Sequence, residues 1–149
     1  MFESVMRSKY HIFQLIRNDG RTHWANGLQN RNRLANQYAK NLIHLPWEYV
    51  IHTVGPIWQE GNHSEAELLA NCYFNSLKVA AEHGISSVAF PSISTGVYRF
   101  PVERAAAIAV DTVFRFLETY PNEIETVEWV LFDEHTFEVY QKAIDKKYR

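Results

Sequence analysis

Between Ser87 and Leu117 the chain passes from an apolar run of strand length, through a short loop of small residues, directly into an amphipathic helix. A buried strand feeding a helix in this way points to an open α/β sheet. The flanking patterns repeat the unit. Tyr49 to Val54 is a β-rich run closed by the turn signal Gly55-Pro56. Ser64, with Glu67 three residues on, has the form of a capping box. The helix it opens would bury Leu68, Leu69, Cys72, Tyr73, Ser76, Leu77 and Ala80 and stop at Gly84. Ser87 to Pro91 is the second strand, and Pro101 falls in the opening turn of the next helix, where a missing N–H costs nothing. That helix turns Val102, Ala105, Ala106, Ala109, Val113, Phe116 and Leu117 to one face. Thr126 to Phe132 is the third strand, and Asp133 can cap a last helix with Phe137, Tyr140, Ala143 and Ile144 inward.

Residues 49–148 thus alternate strand and helix three times. Strands joined by helices of this length run parallel with right-handed crossovers, which makes a three-layer α/β/α sandwich on a mostly parallel mixed sheet. Ligands of such sheets bind at the carboxyl ends of the strands. The first 48 residues are richer in Asn, Arg and Gln; there Tyr10 to Ile16 has strand composition and Leu28 to Leu42 could form a polar helix.

A chain of 149 residues, 46% hydrophobic, suffices for one domain with one core. A net charge of −2 gives no electrostatic footprint for nucleic acid, which is not expected as a partner. The terminal Lys146-Lys147-Tyr148-Arg149 reads as a solvated helix end. Cys72 is the single cysteine, so neither a disulfide nor a cysteine metal cluster can form, and it is read as a buried structural residue. No metal and no cofactor are expected. No apolar run reaches membrane-spanning length and no signal pattern opens the chain, so no membrane partner and a cytoplasmic location are expected.

The chemistry lies in the loop Pro91-Ser92-Ile93-Ser94-Thr95-Gly96-Val97-Tyr98-Arg99-Phe100-Pro101. Small residues, a glycine free to take positive φ and a helix start allow successive N–H groups to converge on an anion, with hydroxyls of Ser92, Ser94 and Thr95 as further donors. A phosphate or diphosphate suits it. No Gly-Lys-Ser/Thr ending is present, so this is no triphosphate-hydrolysing loop, and Ser94 lacks the flanking glycine of a nucleophile elbow.

Together with Leu45 to Pro56, the helix Leu69 to Ala80 and the tail Val130-Leu131-Phe132-Asp133-Glu134, this loop resembles the bacterial macro domain family from His44 to Arg149. The resemblance implies that backbone amides of Ser94, Thr95, Gly96, Val97 and Tyr98 hold the diphosphate of ADP-ribose. It sets the Tyr98 ring beside the distal ribose and Phe132 against adenine; read from the residues alone, Phe132 could equally be a core strand residue. Arg99, where many members have glycine, is read as a solvated surface residue. His52 is read as a satisfied core histidine rather than a base.

The family's opening strand pair, adenine-reading Asp, Asn-Ala-Ala-Asn stretch and glycine-rich loop are not visible before His44. The expected organisation is one macro-like domain over 1–149, its core at 45–149 and its first 44 residues a replaced or out-of-frame start. The leading function is binding of ADP-ribose or an ADP-ribosylated small molecule or protein. Alternatives are hydrolysis of O-acetyl-ADP-ribose or ADP-ribosyl esters, with catalytic residues unassigned, and an inactive domain. A further alternative is an α/β interaction module presenting Trp47, Trp58 and Tyr98. Asp133 and Glu134 are the nearest carboxylates but belong at the adenine end.

Overall fold

The computed structural model describes the strands β1 (Ser4–Arg7) and β2 (Ile12–Arg17), residue Tyr49, and residues 51–148. Along the described chain follow α1 (Glu65–Glu82), β3 (Ser87–Phe90), α2 (Val102–Thr119), β4 (Thr126–Leu131) and α3 (Glu134–Lys147). The sheet order is β1-β2-β4-β3. β1 runs antiparallel to β2, while β2 and β3 both run parallel to β4. This is the mixed, mostly parallel sheet of an α/β sandwich. α1 packs on α2, α2 on α3, and α3 also lies against β2 and β4. The helix anticipated at 28–42 lies outside the described residues.

Register sets one functional edge. Ile12, Thr126 and Ser87 are level, and so are Phe90 and Trp129. The parallel strands therefore end on one side, where the chain leaves β3 at Pro91 and β4 at Phe132.

The core is built where helical periodicity meets this sheet. Leu69, Tyr73, Leu77 and Ala80 from α1 are buried with Ala105, Ala106, Ala109, Val113 and Phe116 from α2. The small alanines let α2 approach closely, and Phe74 fills the seam edge-on against Phe116 with centroids 5.4 Å apart. From α3, Tyr140 and Ile144 enter the same core, with Trp129 of β4 beside Tyr140 at 5.7 Å. α1 ends as its glycine requires: Gly84 takes φ 68°, Ile85 N–H reaches Ala80 O and Gly84 N–H reaches Ala81 O. These are the two bonds of a Schellman motif. Asp133 caps α3 as expected, its carboxylate accepting from Thr136 N–H at 2.8 Å and from Thr136 Oγ1 at 2.9 Å. Lys146 and Lys147 lie in the last turn of α3, and Lys147 pairs with Asp111 of α2.

Several sequence-based expectations are corrected. Tyr49 to Val54 forms no strand in the described residues; the β4 edge that β3 leaves open is taken by β2. β-branched composition marks a chain that suits a sheet, but a ladder needs a vacant partner. His52 is exposed rather than in the core, and Val54 is 88% exposed. The segment is instead tied to α1 by the Cys72 thiol, which donates to Val54 O at 3.4 Å. Cys72 is buried as anticipated, and burial pushes its thiol pKa up against a lowering side-chain bond from Thr53. The strand expected at Tyr10 to Ile16 is found as Ile12–Arg17 in the sheet interior, and Ser4–Arg7 pairs beside it.

The start of α1 is right in place and wrong in device. Ser64 sits at φ 58° and its side chain caps nothing. Glu65 takes over: 1% exposed, it turns back and accepts from the N–H groups of Gln59, Gly61 and His63 at 2.8, 3.1 and 2.6 Å. Leu68, expected in the stripe, is half exposed because the stripe begins one position later, at Leu69.

Candidate ligand-binding site

The loop leaving β3 closes on itself. Phe100 N–H donates to Ser94 O at 3.0 Å, and Arg99 N–H to Gly96 O at 2.9 Å. Phe100 is buried and anchors the closure, its ring 4.7 Å from that of Trp58. Trp58 in turn donates its N–H to Tyr98 O at 2.9 Å and carries Arg104 over its face at 5.3 Å. The 57–63 turn is therefore a brace against the outer side of the loop, and Glu65 is the staple that shapes the brace.

That staple is charged under ordinary conditions. Burial alone would raise the Glu65 pKa, but N–H donors from its own backbone, His63, Gln59 and Gly61 outweigh it and hold the carboxyl at about 2. A folded value below the ordinary 4.5 means that the stabilisation is complete above pH 4.5 and is lost as pH falls toward 2. Glu65→Gln is expected to lower the melting temperature by about 5 °C at neutral pH. Its acid limb should also be shallower than that of the parent. Melting curves taken across the acid range check this, and superimposable acid limbs would refute it.

The hydroxyls of Ser92 and Thr95 are engaged within the protein, where the sequence reading made them ligand donors. Thr95 Oγ1 donates to Ser92 O at 3.0 Å, Ser92 Oγ bonds Tyr140 Oη at 3.1 Å, and Ser94 Oγ is buried. The left-handed residues are Ser94 at φ 66° and Arg99 at φ 55°, not Gly96. A Cβ placed on Gly96 would meet no atom within 4 Å, so the volume beside it is open. Val97 is 93% exposed and Tyr98 38%, with Arg99 exposed as anticipated.

What remains for a ligand is backbone. The Ile93 N–H is tied to Tyr73 Oη at 3.2 Å. The amides of Ser94, Thr95, Gly96, Val97 and Tyr98 have no hydrogen-bond partner among the described residues. Five successive N–H groups without a partner among the described residues, beside the first turn of α2, are the donor set that an anion-binding nest requires. Phe132, 77% exposed just past β4, is no core residue, which removes the alternative reading of it. It leaves the same sheet edge as the loop and offers an apolar ring to solvent.

Sequence reasoning missed what lies beneath the loop. A Cβ on Gly55 would stand 2.2 Å from Ser94 Oγ and 2.7 Å from Ile93 Cγ2. Gly55-Pro56 reads as a turn, yet the glycine serves close approach of two segments. Tyr73 and Tyr140 are fully buried, and their hydroxyls on apolar helix faces were the available signal.

Asp133 is committed to its cap, and its pKa is lowered, first by the Thr136 N–H. Among the described residues no group of three or more His, Cys, Asp or Glu converges as a metal site, and no helix is long and apolar enough to cross a membrane. A groove of about 640 Å³ lined by Ala66, Ala70, Ala107 and Ala143 shares no residue with the loop, and of its cations Arg115, Lys146 and Lys147 the first and last pair with Asp111.

The Macro domain family model matches residues 25–109, more than half of the chain and from upstream of His44. The chain belongs to the macro domain family. A macro domain-containing protein of Chlorobaculum tepidum is 57% identical over 100 residues, covering 67% of this chain and 58% of that protein. An O-acetyl-ADP-ribose deacetylase of Enterobacter cloacae is 48% identical over 103 residues, covering 69% of this chain and 57% of the enzyme. The chain thus spans under two thirds of the length of these relatives. The Oceanobacillus iheyensis macrodomain with ADP superposes with a TM-score of 0.75 at 28% identity, covering 99% of this chain and 97% of that one. The Trypanosoma brucei macrodomain in complex with ADP-ribose gives 0.65 at 26% identity, covering 87% and 62%.

Proposed function

We propose that this macro domain, as one unit over 1–149, binds ADP-ribose or an ADP-ribosylated small molecule or protein, in the cytoplasm and without membrane or nucleic-acid partners. The observation that carries the reading is the run of unpartnered amides from Ser94 to Tyr98, on the same sheet edge as the exposed Phe132. A diphosphate has oxygens enough for several N–H donors, and charge-assisted bonds to backbone amides are about twice as strong as neutral ones. In this arrangement Phe132 meets the adenine face and the Tyr98 ring borders the distal ribose. The solved relatives carrying ADP and ADP-ribose support the ligand class.

Titration calorimetry with ADP-ribose is the direct test. A dissociation constant in the micromolar range is expected, with much weaker binding of adenosine, which lacks the diphosphate. No heat with ADP-ribose at millimolar concentration would leave the inactive-domain reading standing. The deacetylases among the relatives favour a second reading, hydrolysis of O-acetyl-ADP-ribose. It needs a positioned base near the distal ribose, a role that the capped Asp133 does not fill. Release of acetate from O-acetyl-ADP-ribose would establish it.

A further inference from the structure

Two buried phenols and the half-buried Ser92 hydroxyl join the loop to the two helices behind it. Ser92 Oγ lies 3.1 Å from Tyr140 Oη, Tyr140 Oη 3.3 Å from Tyr73 Oη, and Tyr73 Oη 3.3 Å from Pro91 O. The Ile93 N–H meets the same Tyr73 oxygen at 3.2 Å. Each hydroxyl owns one proton. Pro91 O can only accept, so Tyr73 donates to it; Tyr140 must then donate to Tyr73, and Ser92 to Tyr140. Only this order satisfies every member. The reverse order leaves the Pro91 carbonyl without a donor. The result is a closed ring that begins and ends on adjacent loop residues, with α1 supplying Tyr73 and α3 supplying Tyr140.

We propose that Tyr73 and Tyr140 are positioning residues of the anion-binding loop, holding its entry at Pro91 to Ile93 so that the free amides begin at Ser94. The proposal rests on the ADP-ribose reading above. Tyr73 binds the last amide that points inward, Ile93, and so sets where the outward run starts. The bonds are long for hydroxyls, so closure of the ring, more than the strength of any one bond, fixes the geometry. Both phenols stay protonated across the working range, because burial drives their pKa values upward. The ring therefore holds the loop without a charge near the ligand.

Tyr73→Phe, Tyr140→Phe, Ser92→Ala and the double Phe variant are compared by calorimetry with ADP-ribose and by amide hydrogen exchange of the unliganded protein. Tyr73→Phe is expected to weaken ADP-ribose about tenfold, and Tyr140→Phe or Ser92→Ala about threefold to fivefold. The double variant should fall within about twofold of Tyr73→Phe, because both changes open one ring. Exchange at the Ile93 amide should quicken in each variant. Val113→Ala, a buried change elsewhere in the core, serves as the stability control: it lowers the melting temperature and leaves the affinity unchanged. Unchanged affinity in the Phe variants overturns the proposal, whatever the exchange shows; so does weaker binding with unchanged Ile93 exchange. If the parent protein itself gives no heat with ADP-ribose, the binding reading fails instead. The ring's hold on the loop is then judged by Ile93 exchange alone, quickening supporting it and no change overturning it.

Discussion

Gly96→Glu is expected to abolish measurable ADP-ribose binding while shifting the melting temperature by less than about 2 °C. The two effects separate because of where the glycine sits. Its missing side chain faces open volume, and its φ lies outside the left-handed region, so a Cβ there meets no protein atom and strains no backbone. The same volume lies over the amide run, and a glutamate would fill it and set a carboxylate against a diphosphate. The loss should exceed about a hundredfold. Calorimetry beside a thermal melt decides it. Binding retained within tenfold would mean that the ligand does not pass over Gly96, and a large drop in melting temperature would mean that the loop is packed rather than open.

Gly55→Ala should fail in the opposite manner, losing stability and affinity together. The added methyl would overlap Ser94 Oγ and Ile93 Cγ2 at distances that no relaxed side chain tolerates. Ser94 is short and already held in the left-handed region by the Phe100–Ser94 bond, so the backbone must give. Overpacking of this kind costs about 1–3 kcal/mol. Displacement of Ser94 moves the first amide of the nest, and a shift of that size should weaken ADP-ribose about tenfold. Denaturant unfolding and calorimetry check the pair of effects. Parent-like values in both would show that the 53–56 segment does not bear on the loop.

These two glycines mark how far the sequence could be read. α2 and α3 were legible because their signals are local: Pro101 and Asp133 at the starts, and apolar spacing along the helices. The sheet was legible where a strand led directly into such a helix. Tyr49 to Val54 misled because strand composition does not say which neighbour has a free edge, and β2 from far upstream holds that edge. Ser64 misled because its side chain caps nothing at φ 58°, while Glu65 ties down the turn before the helix with three backbone bonds. The loop was legible as a turn of small residues between strand and helix, but not the partners of its hydroxyls. Nothing local tells Ser92 to face Tyr140, which lies 48 residues away, or Ile93 to face Tyr73, 20 residues away. Gly96 was expected to take positive φ and does not; open space lies where its Cβ would be.

The inward turn of Ser92, Ser94 and Thr95 has a consequence for how this protein can vary. With the Ser92 and Thr95 hydroxyls engaged in the interior, what the loop offers outward is peptide N–H groups, which every residue but proline supplies alike. The side chain at 97, almost wholly exposed, can change without altering those N–H groups. The constraint moves to positions that never meet the ligand: a glycine two strands' reach away in the chain, two phenols in the core and a carboxylate under a turn. If ADP-ribose lies on these amides as proposed, the residues that fix its site belong to the scaffold rather than to the point of contact.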